Sequence, residues 1–200
     1  WSHDGNGSFD NTGILLPTYT PAAGDEGTTV TLTLSGTANA PCSDVSDVVT
    51  IDIIDAPTVA ITNPTTICED GTLTFTASST NGVSLAWVED GAGALDDATI
   101  ITPTYTPVAA DAGNTVTFTL TVTGAAACGT VDSTVTLDII GAPTVEAGTG
   151  DGTAVCMSSS YTVVASSETN TASFIWSHDG NGSFDNTGIL LPTYTPAAGD

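Results

Sequence analysis

Threonine alternates with a large apolar residue through TVTFTLTV (115–122) and again through TVTLTLS (29–35). A period of two puts Val116, Phe118, Leu120 and Val122 on one face and the threonines on the other, the pattern of a strand buried on one side. Threonine suits that exposed side because its β-branched side chain tolerates extended backbone and still faces water. Shorter runs of the same kind are LTFTA (73–77), SLAW (84–87), TVTLDII (134–140) and YTVVA (161–165). Between them, clusters of Gly, Pro, Asn and Asp such as ITNPTT (61–66), STNG (79–82), EDGAG (89–93) and VAADAGN (108–114) mark turns. No segment carries the apolar stripe of a helix. About seven short strands in under ninety residues predict a β-sandwich, so the expected fold class is all-β. Trp87, Phe75, Phe118, Leu120 and Leu137 are the expected core.

The strands recur. Residues 1–25 return without a change as residues 176–200, a period of 175. Inside it lies a weaker repeat: residues 87–140 align without a gap onto 1–54, an offset of 86 that places Trp87 on Trp1 and Gly91 and Gly93 on Gly5 and Gly7. PTYTP at 103–107 falls on PTYTP at 17–21, Asp111 on Asp25 and Cys128 on Cys42. Running forward, APTV at 56–59 recurs at 142–145, Cys68 as Cys156 and Trp87 as Trp176. The array reads ABAB. The expected modules are 1–55, the back of a B module; 56–141, a complete A module; and 142–200, the front of the next B module. The chain then reads as a window cut from a longer tandem array, and such arrays are scaffolds and stalks more often than enzymes.

The order of signals resembles the immunoglobulin-like fold. Trp87 and Trp176 take the place of the buried Trp on the third strand, and Phe75 and Phe118 stand where antibody domains carry their inter-sheet cysteines. The turn at Asp111–Gly113 resembles the one before the sixth strand, with Val116 replacing the usual corner tyrosine. Successive modules join with almost no linker, since VTIDIID (49–55) and VTLDIIG (135–141) each run directly into APTV. The expectation is a head-to-tail array of tandem immunoglobulin-like sandwiches.

Charge narrows the partners. Lys plus Arg is 0 against 23 Asp and Glu, a formal net charge of −23 with a pI near 4.1. Such a chain cannot neutralise phosphate, so nucleic acid and anionic membranes are excluded as partners. Charged residues make up only 12% and hydrophobic ones 40%, and the acids are scattered, which describes the surface of a folded protein and not a disordered acidic tail. No apolar run approaches the roughly 18 residues of a membrane-spanning helix.

Four cysteines, Cys42, Cys68, Cys128 and Cys156, have spacings unlike a zinc site. They suggest disulfides and an oxidising, extracellular setting, with free thiols as the alternative. In the resembled topology Cys68 precedes the second strand at the C-terminal pole of its module, and Cys128 follows the sixth at the N-terminal pole. At ~3.3 Å per residue they lie on the order of 40 Å apart, whereas a disulfide needs Cα atoms within about 7 Å. The expected bonds therefore run between modules. Cys68 would pair with the equivalent of Cys42 in the following module, and Cys128 with the equivalent of Cys156 in the preceding one. Pro57 and Pro143 would stiffen the junctions by fixing φ.

Other chemistry is sparse. The two histidines, His3 and His178, are one repeat position that Glu89 takes in module A, and they read as solvated turn residues. Asp4, Asn6, Ser8 and Asp10, and their repeats Asp179, Asn181, Ser183 and Asp185, have the alternate-oxygen spacing of a calcium loop but lack the bidentate Glu of an EF-hand. The reading preferred is a Gly-rich hairpin, and no cofactor is expected; Ca²⁺ is the other reading of that spacing. Asn6-Gly-Ser8 and Asn181-Gly-Ser183 match the short N-glycosylation pattern.

The phrases ICEDGTLTFTAS, WSHDGNGSF and LLPTYTPAAGDEGTTVTLTLSG, followed by a Cys and VTLDII, resemble the repeats of giant surface adhesins of Bacteroidota, the flavobacterial gliding adhesin among them. The resemblance implies secretion to the cell surface, a long filamentous form, and a role in adhesion or motility. The whole absence of Lys and Arg, and the unchanged 25-residue repeat, depart from that pattern and suggest a shaft segment selected for uniformity. The expected function is thus the non-enzymatic structural shaft of an extracellular filament. Its expected partners are neighbouring repeats of the same polymer, with filament self-association. The alternative is a carbohydrate- or surface-binding adhesin module, which would need clustered exposed aromatics.

Overall fold

The computed structural model describes residues 1–62, 65–125, 127–150 and 152–200. It is almost all β, built of several sheets. Among the described residues the 3-10 turn Ala109–Asp111 is the sole helical element.

The centre of the chain shows why the alternating pattern folds as it does. Strands Gly82–Glu89, Thr115–Gly124, Thr130–Ile140 and Thr66–Cys68 lie in that order in one four-stranded sheet. All pairs are antiparallel except the last, where Thr66–Cys68 runs parallel to the end of Thr130–Ile140 with Cys68 opposite Ile140. In Thr115–Gly124 every second residue turns inward: Val116, Phe118, Leu120 and Val122 are buried, and the threonines between them are not. Opposite this sheet, Leu73–Thr74 pairs with Thr104–Thr106, which pairs with Ala94–Leu95, and Thr58–Ile61 pairs with Ala77–Thr80.

The predicted strand LTFTA (73–77) is thereby divided. The chain changes partner near Phe75, whose N–H still donates to Pro103 O at 2.8 Å while Thr62 N–H donates to Thr76 O at 2.8 Å. Such partner changes raise the expected seven strands to nine segments between Thr58 and Ile140. The turn predicted at ITNPTT (61–66) has its centre, Asn63 and Pro64, outside the described residues.

Between the sheets lies one core of Leu73, Phe75, Trp87, Tyr105, Val116, Phe118, Leu120, Val122, Leu137 and Ile139. Phe75 stacks between Trp87 and Phe118, with ring centroids 4.7 Å apart in both pairs. Such pairs add to the burial of large apolar rings, so apolar packing closes the sandwich.

The two ends each hold part of this arrangement. In residues 1–55, Ser2–His3, Thr29–Gly36 and Val45–Asp52 form one sheet and Ser8–Phe9 pairs with Tyr19–Thr20. In residues 142–200, Thr144–Glu146 pairs with Ser167–Thr169, and Tyr161–Thr162, Thr193–Thr195 and Ser183–Phe184 form a second sheet. The strand Val45–Asp52 is exposed on both faces over most of its length, with Val45, Val48 and Val49 at 70%, 59% and 49%.

Candidate functional site

Three times in the chain, a tyrosine hydroxyl donates to a carboxylate six residues on. Tyr105 reaches Asp111 Oδ2 at 2.8 Å, Tyr19 reaches Asp25 Oδ2 at 3.0 Å and Tyr194 reaches Asp200 Oδ2 at 2.8 Å. The same aspartates accept two backbone N–H groups each. Ala92 N–H binds Asp111 Oδ1 at 2.6 Å and Val108 N–H binds Oδ2 at 3.1 Å. Asn6 and Ala22 serve Asp25 in the same way, and Asn181 and Ala197 serve Asp200. The hydroxyl in turn accepts from the second glycine of the G-x-G turn, Gly93, Gly7 or Gly182. A Cβ on Gly93 would collide with the Tyr105 hydroxyl and with Thr106 O, so glycine is required here for close approach.

In the centre of the chain this clasp ties the turn after Gly82–Glu89 to the turn before Thr115–Gly124. Burial pushes the Asp111 carboxyl up, but the hydrogen bonds from Ala92, Val108, Tyr105 and Gly93 outweigh it and hold it below its ordinary value. The N–H of Asn6, then that of Ala22, lowers Asp25, and the N–H groups of Ala197 and Asn181 lower Asp200. Burial, then the facing carboxylate, raises all three tyrosines. The arrangement keeps a neutral phenol donating to a charged carboxylate. Around Tyr105 and Asp111, both buried, it is a sealed structural lock.

The clasp escapes a reading based on strand patterns, yet its signal is in the sequence: the invariant spacings of Tyr to Asp and of G-x-G to Tyr. The corner that sequence order assigns to Val116 is polar after all, because Tyr105, from the preceding strand, supplies the hydroxyl.

The calcium-loop residues anchor backbone. Asp4 Oδ1 accepts Thr31 N–H at 2.7 Å, and Asp10 Oδ1 accepts Asn11 and Thr18 N–H at 2.7 and 2.8 Å. Asp185 repeats the bonds of Asp10 with Asn186 and Thr193, and Asp179 is exposed. The amides of Asn6 and Asn181 lie beside Gly24 and Gly199. Among the described residues no three His, Cys, Asp or Glu gather as a metal site.

His3 differs from its expected place in a solvated turn. It lies in strand Ser2–His3, half-buried, with its ring edge-on to Phe9 and Tyr19 at 5.6 and 5.0 Å. Strand alternation points it at that aromatic pair.

No disulfide is present: all four cysteines are free thiols. The positions of two of them explain why no bond joins Cys68 to Cys128. Cys68 sits opposite Ile140 at the end of the last strand, whereas Cys128 precedes the start of that strand in a turn closed by Cys128 N–H to Ala125 O at 2.7 Å. The 11-residue strand Thr130–Ile140 stands between them, about 36 Å at ~3.3 Å per residue. Cys128 Sγ donates to Ile54 O at 3.5 Å, and Asn81 Nδ2 donates to Ala56 O at 3.1 Å. At the other end, Ala142 N–H donates to Glu69 Oε2 at 3.1 Å and Asn170 Nδ2 to Ala142 O at 3.4 Å.

No family model matches the chain, and no curated protein matches its sequence. Among the described residues no helix is long and apolar enough to cross a membrane.

Proposed function

We propose that this chain is a segment of the structural shaft of an extracellular filament or giant cell-surface adhesin, made of immunoglobulin-like modules joined head to tail. The observation that carries this reading is the junction. The last strand of the central module ends at Ile140 and the first strand of the next segment begins at Thr144, with Pro143 between. Hydrogen bonds from Asn81 and Asn170 close both junctions in the same manner, each from an asparagine at positive φ to the alanine before the proline. A joint of five residues at one junction (53–57) and three at the other (141–143) leaves little freedom between units, which is the property of a stiff rod. Strand order supports the immunoglobulin-like assignment: Gly82–Glu89, Thr115–Gly124 and Thr130–Ile140 share one sheet with Thr66–Cys68, while Thr58–Ile61 pairs with Ala77–Thr80 in another. The repeats themselves are the principal partners, and the function proposed is mechanical rather than catalytic.

Carbohydrate binding is the weaker reading, since Trp87 and Tyr105 are 3% and 0% exposed and offer no stacking platform. Imaging of the native filament tests the proposal. Two modules of strands about 8–10 residues long at ~3.3 Å, plus their loops, give an axial repeat of roughly 70–90 Å. Modules folded back on one another would overturn it.

A further inference from the structure

Three asparagines of the chain stand before a glycine: Asn6-Gly7, Asn81-Gly82 and Asn181-Gly182. Their dipeptides are the same, but their surroundings are not. We propose that Asn81 is a self-modifying site, at which the Gly82 nitrogen displaces the side-chain ammonia and turns the asparagine into aspartate and isoaspartate, and that this opens the joint at Ala56. The reaction needs only water and stands apart from the shaft reading; its mechanical consequence rests on that reading.

The step is a ring closure. The Gly82 nitrogen, having lost its proton, attacks Cγ of Asn81. The N–Cγ bond forms, the Cγ–Nδ2 bond breaks, and ammonia leaves with the proton. Water then opens the cyclic imide. Its addition at Cγ gives aspartate, and its addition at the Asn81 main-chain carbonyl gives isoaspartate, with the chain routed through the side chain. In sum, one amide and one water become one carboxylic acid and one ammonia. Glycine favours the closure because it has no Cβ to obstruct its own nitrogen.

At Asn6 and Asn181 that nitrogen is already committed. Gly7 N–H donates to the Tyr19 hydroxyl at 3.0 Å and Gly182 N–H to the Tyr194 hydroxyl at 3.1 Å. The N–H groups of Asn6 and Asn181 bind Asp25 and Asp200. After Asn6, Ala22 and Tyr19, Gly7 N–H also lowers the Asp25 carboxyl, and after Ala197, Asn181 and Tyr194, Gly182 N–H lowers that of Asp200. A carboxylate so close opposes the nitrogen anion that must form. Turning either peptide to close the ring would also break the clasp.

Asn81 is free of these restraints. It is exposed, at φ 56°, in the turn between Ala77–Thr80 and Gly82–Glu89. Gly82 is exposed too, and the ladder is irregular beside it, its register shifting between Gly82 and Ser84. Among the described residues no carboxylate accepts the N–H of Asn81 or Gly82.

The amide lost is the one that closes the joint. Asn81 Nδ2 donates to Ala56 O at 3.1 Å. A carboxylate has no proton to give there, and it would share its cleft with Asp52 and Asp55. Aspartate accepts positive φ as asparagine does, so the turn survives while the joint opens. At the other joint Asn170 Nδ2 donates to Ala142 O, but Thr171 follows, and its β-branched side chain obstructs the same attack. Ageing therefore frees one joint and spares the other.

The test ages the full chain in mildly alkaline buffer, cuts it at Asp and Glu because it has no Lys or Arg, and maps the peptides by mass. Conversion of amide to acid is expected many-fold faster at Asn81 than at Asn6, Asn181 or Asn170. Two products of equal mass should appear, of which an isoaspartyl methyltransferase labels one. Tyr19→Phe removes the hydroxyl that holds Gly7 N–H and should speed conversion at Asn6 several-fold. Equal rates at the three Asn-Gly sites, or a faster rate at Asn6 or Asn181, would overturn the assignment. Asn81→Asp tests the joint directly: with an unchanged unfolding midpoint, cleavage after Asp55 should be several-fold faster, and Asn170→Asp should leave that rate alone. Cleavage after Asp55 that ignores Asn81→Asp sinks the mechanical half. Native filaments with modules folded back on one another would remove the shaft reading and leave the conversion rates standing.

Discussion

The central sandwich, residues 58–140, and the chain's two ends carry the same clasp in different surroundings. Around Tyr105 the clasp is sealed: Tyr105 is 0% and Asp111 2% exposed, and Trp87 beside them is 3% exposed. Tyr194 makes the same bonds while only half-buried, and its partner Asp200 is exposed. Each tryptophan donates its indole N–H to a carbonyl 13 residues on, Trp87 to Ile100 O at 3.0 Å and Trp176 to Ile189 O at 2.9 Å, yet only Trp87 is buried. The polar scaffold is therefore local, spanning at most 19 residues, and forms without a finished core. The apolar core is not local, and it needs both sheets.

The largest expected effect separates these two layers. Trp87→Ala should cost roughly 3–5 kcal/mol as a truncation of a packed core, whereas Trp176→Ala should cost far less. Denaturant unfolding of the two variants measures the difference, and equal losses would break the comparison. Next in size, Asp111→Ala leaves the Ala92 and Val108 N–H groups and the Tyr105 hydroxyl without their acceptor, at about 2–3 kcal/mol. Faster amide exchange at Ala92 and Val108 should accompany it. The same change at Asp200 should be much milder, because water replaces the lost bonds.

The pH response is smaller and two-sided. The clasp carboxyls lie below their ordinary 3.8 in the folded chain, so their stabilisation is complete above that value and is lost as pH falls through the lowered folded one. The tyrosines lie above their ordinary 10.0, so theirs is complete below 10 and is lost as pH rises through the raised folded one. A melting temperature followed across pH should be flat between about 5 and 9 and fall on both sides. A transition near neutrality would point away from the clasp. Smallest of all, added salt should raise the melting temperature modestly, because −23 charges without a single Lys or Arg repel one another until screened. No change between low and high salt would show that the acids are already compensated.

Much of the strand layout was legible beforehand. Thr115–Gly124 and Thr29–Gly36 follow their alternation almost residue by residue, since period two is a short-range property of extended backbone. Turn clusters were legible for the same reason. The division of LTFTA near Phe75 was not, because a strand that changes partner keeps its own periodicity. Nor was the half-burial of His3, which depends on Phe9 and Tyr19 arriving from another hairpin.

Residues 1–25 and 176–200 draw the boundary most plainly. Identical sequence determined an identical G-x-G turn, hairpin and tyrosine–aspartate bond in both places. Tertiary structure alone decided that Asp25 is 1% exposed and Asp200 open to solvent. Val30, on the strand that follows Asp25, flanks the same point above Gly5 as the Asp25 carboxylate. Hydrogen bonds within a turn are set by neighbours in sequence, but burial is set by whichever distant strand lies across them.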